Sequence, residues 1–210
     1  LLNEDLLEIG GPPCMLTVAV DISERRRREQ VQEATYGISR AVLAGGDISS
    51  LFAEVHHIIG GLMPARNFYI ALLSPDGREL SFPYFVDEVV PPPPPRPLAN
   101  GFTEYVLQTG QPLLADATEL PDVLSTRGVY HPLDRPAAQR LGAPLLIGGR
   151  AIGVIALQDY ENAHAFDADD LRLLNFVAEQ TAVAVHRRQA EVAMKEAEEQ
   201  AQARCPVAPM

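Results

Sequence analysis

The stretch from Leu141 to Tyr160, LGAPLLIGGRAIGVIALQDY, constrains the fold more than any other part of the chain. Two apolar runs flank the pair Gly148-Gly149, and two glycines supply the positive φ angles of a tight primed turn, so the stretch reads as a β-hairpin. Pro144, Leu145, Leu146 and Ile147 on one arm, and Ile152, Val154, Ile155, Ala156 and Leu157 on the other, leave neither face suited to water. A hairpin apolar on both faces belongs in the middle of a sheet that is covered on both sides.

Composition limits what surrounds that sheet. The chain has 210 residues, enough for one domain and its appendages, and 47% of them are hydrophobic. No apolar run approaches the length of a membrane span, and the first residues lack a basic leader with a small-residue cleavage site, so direct membrane insertion is not expected. The net charge is -11, with Lys195 the single lysine and Arg25 to Arg28 the one basic cluster, which argues against nucleic acid as a partner. Cys14 and Cys205 sit near opposite ends, outside the expected core, which points away from a disulfide framework and toward a reducing, cytoplasmic setting.

Leu6 to Ile9 and Cys14 to Val20, separated by Gly10-Gly11, read as a second, smaller hairpin running into Asp21-Ile22-Ser23-Glu24-Arg25. Ser23 suits an N-cap and Glu24 the positive end of a helix. This junction resembles the end of a PAS domain, which implies that residues 1-22 are a C-terminal fragment of one; a native N-terminal hairpin is the alternative. Residues 23-45 read as an amphipathic linker helix, with Val31, Ala34, Ile38, Ala41 and Val42 on one side. The four arginines there have Glu24 and Glu29 beside them and read as a solvated face.

Gly45-Gly46 stops that helix and Asp47 caps the next, whose stripe of Leu51, Val55, Ile58, Ile59 and Leu62 covers a sheet. His56 and His57 are neighbours about 100° apart on it, so they cannot share a ligand, and they read as surface or boundary residues. Asn67 to Leu73 and Glu79 to Val86 form a hairpin around Ser74-Pro75-Asp76-Gly77. Alternation puts Phe82, Tyr84 and Val86 on one face, and Ser81, Pro83 and Phe85 on the other, without saying which face looks into a pocket. Pro83 calls for a sheet edge. Pro91 to Pro95 favour an extended polyproline rod and read as a stiff connector rather than as bait for a proline-binding module.

Gly101 to Thr109 is a short helix ended by Gly110, followed by a strand from Gln111 to Ala115 and then Asp116. From Ala117 to Arg140 no period survives, and so long an irregular stretch is usually functional or mobile. Asp167 is placed to cap the last helix with Asp170 as its capping-box partner, and Leu171, Leu174, Val177, Ala178, Thr181 and Val185 give that helix a broad apolar face. Phe176, Val183, Ala190 and Ala197 then recur at every seventh position, a narrow seam that suits another helix.

The glycine-paired hairpin, the helix start at FDADDLRLLNFVAEQTAVAV and the string GFTEYVLQTGQPLLADA together resemble a GAF domain over residues 46-185, leaving 186-210 as an output helix and frayed tail. The resemblance implies an α+β fold, a central antiparallel β-sheet with long N- and C-terminal helices on one face and a pocket-covering loop and short-helix region on the other. It also implies small-molecule sensing and dimerisation in a signal-transduction protein of the histidine-kinase or cyclic-dinucleotide-synthesis type. The alternative is a ligand-free dimerisation spacer, and a GAF-fold enzyme is the distant third reading.

On that resemblance the expected ligand site lies between the sheet and the 116-140 loop, with Tyr84, Phe102 and Tyr105 as apolar walls and Asp116, Tyr130 and His131 as polar contacts, and with Arg127 and Asp122 nearby. The expected interface of a parallel homodimer joins Ile38 and Val42 to Phe176, Val183 and Ala190. The cofactor is unidentified. Covalent bilin is disfavoured because no cysteine lies between Asp47 and Val185, a non-covalent small molecule is allowed, and haem would need only one histidine such as His131. The cysteines of the free-methionine-sulfoxide reductase branch are missing, and Phe85, Asp87 and Glu88 are only a chance echo of the cyclic-nucleotide constellation. No nucleophile, phosphate loop or metal-ligand spacing is evident.

Overall fold

The computed structural model describes residues 2-7, 14-19, 22, 25, 29, 32, 36, 37, 40, 47-125 and 136-203. The chain divides into two compact units, Leu1–Glu33 and Ala34–Met210. The first contains an antiparallel pair, β1 (Leu2–Leu7) and β2 (Cys14–Ala19), with Leu2 opposite Ala19 and Leu7 opposite Cys14. Its first strand lies earlier than the expected Leu6 to Ile9, ending at Leu7 opposite Cys14. Residues 25, 29, 32, 36, 37 and 40 are helical, as the linker pattern predicts, and the Arg25 Nε donates to Glu29 Oε1 at 2.8 Å.

The second unit is built on a six-stranded antiparallel sheet of order β5-β4-β3-β8-β7-β6. Its strands are β3 (Asn67–Leu73), β4 (Glu79–Val86), β5 (Arg96–Pro97), β6 (Leu113–Asp116), β7 (Gln139–Ile147) and β8 (Arg150–Asp159). The glycine-paired hairpin is β7-β8, inside the sheet, with Ile147 opposite Arg150 and with φ of 58° at Gly148 and 79° at Gly149. Gly153 has a tertiary reason as well: a Cβ there would run into the Ala71 carbonyl of the neighbouring strand.

One face of the sheet carries α1 (Ile48–Gly60) and α4 (Ala168–Ala203). Asp47 caps α1 by accepting the Ser50 N–H at 2.8 Å. Asp167 and Asp170 form the reciprocal cap of α4, Asp167 Oδ1 taking the amides of Asp169 and Asp170 while Asp170 Oδ2 takes that of Asp167. Phe52, Val55 and Ile59 of α1 and Leu174, Val177 and Val185 of α4 close this core on Phe68, Ile70, Leu145, Ile155 and Leu157. Each fully buried side chain of that size contributes about 1.5–3 kcal/mol.

The opposite face carries α2 (Phe102–Thr109) and α3 (Leu120–Ser125). Gly110 ends α2 in the left-handed conformation, its N–H bonded to the Val106 carbonyl. A single turn-and-a-half such as α3 is too short for a period to show, which is why the stretch after Ala117 reads as irregular in sequence.

One expectation about the sheet is corrected. The β3-β4 register shifts between the pairs Ile70-Tyr84 and Leu72-Ser81, a bulge that sets three steps of β4 against two of β3. Phase is therefore lost between Tyr84 and Phe82. Phe82 and Phe85 share the α2 face, while Tyr84 joins the α1 face. Pro83 is exposed at the bulge, beyond the two positions where β5 pairs with β4, which is the edge setting that a proline requires.

Candidate functional site

A cavity of about 450 Å³ lies on the α2 face, within the range of small-molecule sites. Tyr69, Phe82 and Phe85 floor it from the sheet, Phe102 walls it from α2, and Val90, Pro91 and Pro93 close a side. Tyr69 stacks on Phe85 with centroids 5.6 Å apart and meets Phe82 edge-on at 5.9 Å. The bulge makes this cluster possible by turning both phenylalanines to one face. Gly142 makes room for the wall, since a Cβ there would lie 2.6 Å from Phe102 Cε1. The proline run forms the remaining side as a stretch without amide donors.

Polar groups enter from three directions. The hydroxyls of Tyr69 and Thr103 are 2.8 Å apart. At one end Asp87 gathers Gln158 Nε2, the Tyr160 hydroxyl at 3.1 Å and the backbone N–H groups of Val89 and Val90 at 2.8 Å. Burial, followed by the charge of Asp87 and its hydrogen bond, pushes the Tyr160 phenol well above its ordinary value. Burial likewise raises Tyr69. Elsewhere Glu104, 1% exposed, takes the Arg96 guanidinium and the Ala99 N–H on Oε1, and Arg96 also lies over the Phe82 ring at 5.6 Å.

Three buried side-chain polar atoms have no hydrogen-bond partner among the described residues: Asn100 Nδ2, Glu104 Oε2 and Arg140 Nε. All three belong to residues that line this cavity. An unmet buried polar group costs about 1–3 kcal/mol. The bonds that the protein leaves unmade are thus gathered in residues around one hollow.

Of the residues expected from sequence, the structure brings Phe102 to the cavity. Tyr105 packs half-buried in the same cluster without lining the hollow. Tyr84 is a correction: the bulge turns it to the other face, where its hydroxyl is 3.0 Å from His56 Nδ1 and its ring meets Phe68 edge-on at 5.8 Å. His56 is accordingly a half-buried boundary residue, its other nitrogen 2.7 Å from the Ala65 carbonyl. Asp116 is also elsewhere: its Oδ1 accepts the Thr118 and Glu119 amides in the turn into α3, and the Thr118 hydroxyl, the largest influence, holds its carboxyl below the ordinary value. Tyr130, His131 and Arg127 lie outside the described residues, as do Ile38 and Val42. On α4, Phe176 is half-buried while Val183 and Ala190 are exposed.

Sequence reasoning missed Tyr69, Phe82, Phe85, Asn100, Glu104, Arg140 and Tyr160. Two of them carry a usable signal: Glu104 is the single charge of a short helix, and Arg140 is a lone charge at the mouth of a strand apolar on both faces. Among the described residues no group of three or more His, Cys, Asp or Glu is placed to hold a metal ion, and no helix is long and apolar enough to cross a membrane.

Comparison with known proteins agrees with this architecture. The fold is similar to residues 122 to 287 of a methyl-accepting chemotaxis protein (TM-score 0.60, 17% identity, covering 75% of this chain and 97% of that one). It is similar to the GAF domain of a phosphoenolpyruvate-protein phosphotransferase from Coxiella burnetii (TM-score 0.60, 16% identity, 79% and 98% covered). It is also similar to free methionine-R-sulfoxide reductase from Neisseria meningitidis, solved in complex with its substrate (TM-score 0.61, 15% identity, 83% and 96% covered). At such identities the likeness is one of fold. No curated protein matches in sequence. The family model for the GAF domain matches residues 46–186, two thirds of the chain, and the chain therefore belongs to the GAF family of regulatory signalling domains.

Proposed function

We propose that the chain is a small-molecule sensor and dimerisation segment of a multidomain, cytoplasmic signal-transduction protein. The observation that carries this reading is the 450 Å³ cavity with three unpartnered buried polar atoms around it. A domain serving only as a spacer has no use for such a hollow and gains stability by filling it with side chains.

A route for the signal begins at β7. Arg140 lines the cavity, and its neighbour Gln139 takes the Phe166 N–H on Oε1 at 2.8 Å and donates Nε2 to the Phe166 carbonyl at 3.2 Å. Phe166 directly precedes Asp167, the cap of α4. A ligand that binds two positions of β7 with different free energy biases the start of α4 by that difference. The exposed Val183, Ala190 and Met194, which share one side of α4, are the surface on which a second copy of this helix would pack in a parallel homodimer.

Native mass spectrometry of protein purified under mild conditions tests the sensing reading. A retained small molecule, lost when the cavity is filled by Ala99→Phe in a folded variant, is the expected result. A cavity that neither retains a molecule nor takes up one from a broad metabolite screen would refute it.

A further inference from the structure

Resting on the sensing reading, the cavity also states what kind of molecule it takes. We infer that its ligand class is an aromatic monocarboxylate bearing one neutral hydrogen-bond donor, with Arg140 recognising the acid and Glu104 the donor.

The charge balance comes first. Of the charged residues that line the cavity, Arg96 and Glu104 neutralise each other; Asp87 does not line it and keeps its charge, its oxygens taken by Gln158, Tyr160 and two backbone amides. The Arg140 side chain has no ion pair among the described residues and its Nε no hydrogen bond; its guanidinium lies 5.9 Å from the centroid of the Phe102 ring. Among the residues that line the cavity, Arg140 is thus the one charge without an ion pair, and it lies by Phe102 at the start of α2. A single negative charge on the ligand balances it, whereas a phosphate monoester brings a second charge with no cation left to meet it.

The unmet hydrogen bonds narrow the choice further. Arg140 Nε and Asn100 Nδ2 are donors, and each needs an acceptor. A carboxylate supplies two oxygens in the plane that a guanidinium fork matches. Glu104 Oε2 is an acceptor and needs a donor. It lies beside Gly101, where a Cβ would approach it to 2.9 Å, so the glycine leaves that oxygen uncrowded. A neutral hydroxyl or ring N–H fits, because an ammonium would restore the charge that the carboxylate has balanced. The body between these polar ends meets Phe82, Phe85 and Phe102, rings on which another aromatic ring stacks.

The test is isothermal titration of the whole chain with 4-hydroxyphenylacetate and indole-3-acetate, with the primary amide of each, with phenylacetate, and with cyclic AMP as a phosphodiester. The expected result is that an acid with a donor binds at least about tenfold tighter than its amide and than phenylacetate. Arg140→Met should remove the preference over the amide, and Gly101→Ala, which crowds Glu104 Oε2, should remove the preference over phenylacetate while leaving the other intact. The acid-to-amide ratio in the unmodified protein decides the matter where a variant fails to fold. Amides binding as well as acids, cyclic AMP binding alone, or no binding by any of these probes overturns the ligand class. A molecule retained in native mass spectrometry would in those cases leave the sensing reading standing.

Discussion

The link between the cavity strand and the exit helix is open to a direct test through Gln139→Leu. Gln139 is 6% exposed, and its carboxamide makes both of its bonds to the backbone of Phe166. Leucine keeps nearly the same volume but leaves the Phe166 N–H and carbonyl without those partners in a buried contact. At about 1–3 kcal/mol for each orphaned group, the expected loss is about 2–6 kcal/mol. In a domain of this size each kcal/mol lowers the melting midpoint by about 2–4 °C, so the midpoint should fall by about 4–24 °C. Urea unfolding should show a lower midpoint at unchanged slope, the mark of lost stability rather than an altered unfolded state. Hydrogen exchange should quicken first in the opening turn of α4, where the Leu171 N–H bonds to the Asp167 carbonyl. A midpoint within about 1 °C of the original would refute the argument, because a buried clamp of two backbone bonds cannot be removed at so small a cost.

Val183→Glu puts a charge at a position 60% exposed on α4 and should convert dimer to monomer while the melting midpoint barely moves; sedimentation showing the unmodified chain monomeric at about 100 µM would sink the dimer. Alkaline titration should show Tyr160 ionising late, above the ordinary tyrosine value. Its folded value is raised above that of the unfolded chain, so the associated stability is complete below about pH 10 and is lost as pH rises beyond it. Tyr160→Phe should remove one late-titrating phenol from the absorbance curve and flatten the fall in melting midpoint over that range; an unchanged curve would contradict the Asp87 contact.

The features readable in the chain itself are those decided within a few residues. Gly148-Gly149 specifies a primed turn wherever it sits, because only the φ of two neighbouring residues is at stake. Asp47, Asp167 with Asp170, and Gly110 act within a single helical turn, and Pro83 announces a sheet edge because its missing amide is a property of the residue alone. The apolar density of β7 and β8 likewise announces a sheet covered on both faces. The cavity was decided elsewhere. Strict alternation places Tyr84 with Phe82, and a bulge that exists only in the pairing of β4 with β3 separates them. Register belongs to two strands at once, so no reading of β4 alone reveals it, and one extra residue transfers a side chain to the other face. The partnerless atoms of Asn100, Glu104 and Arg140 are of the same kind. Their residue types are visible in sequence, but an unmade bond is a relation among segments far apart in the chain, and only the folded sheet brings them around one hollow.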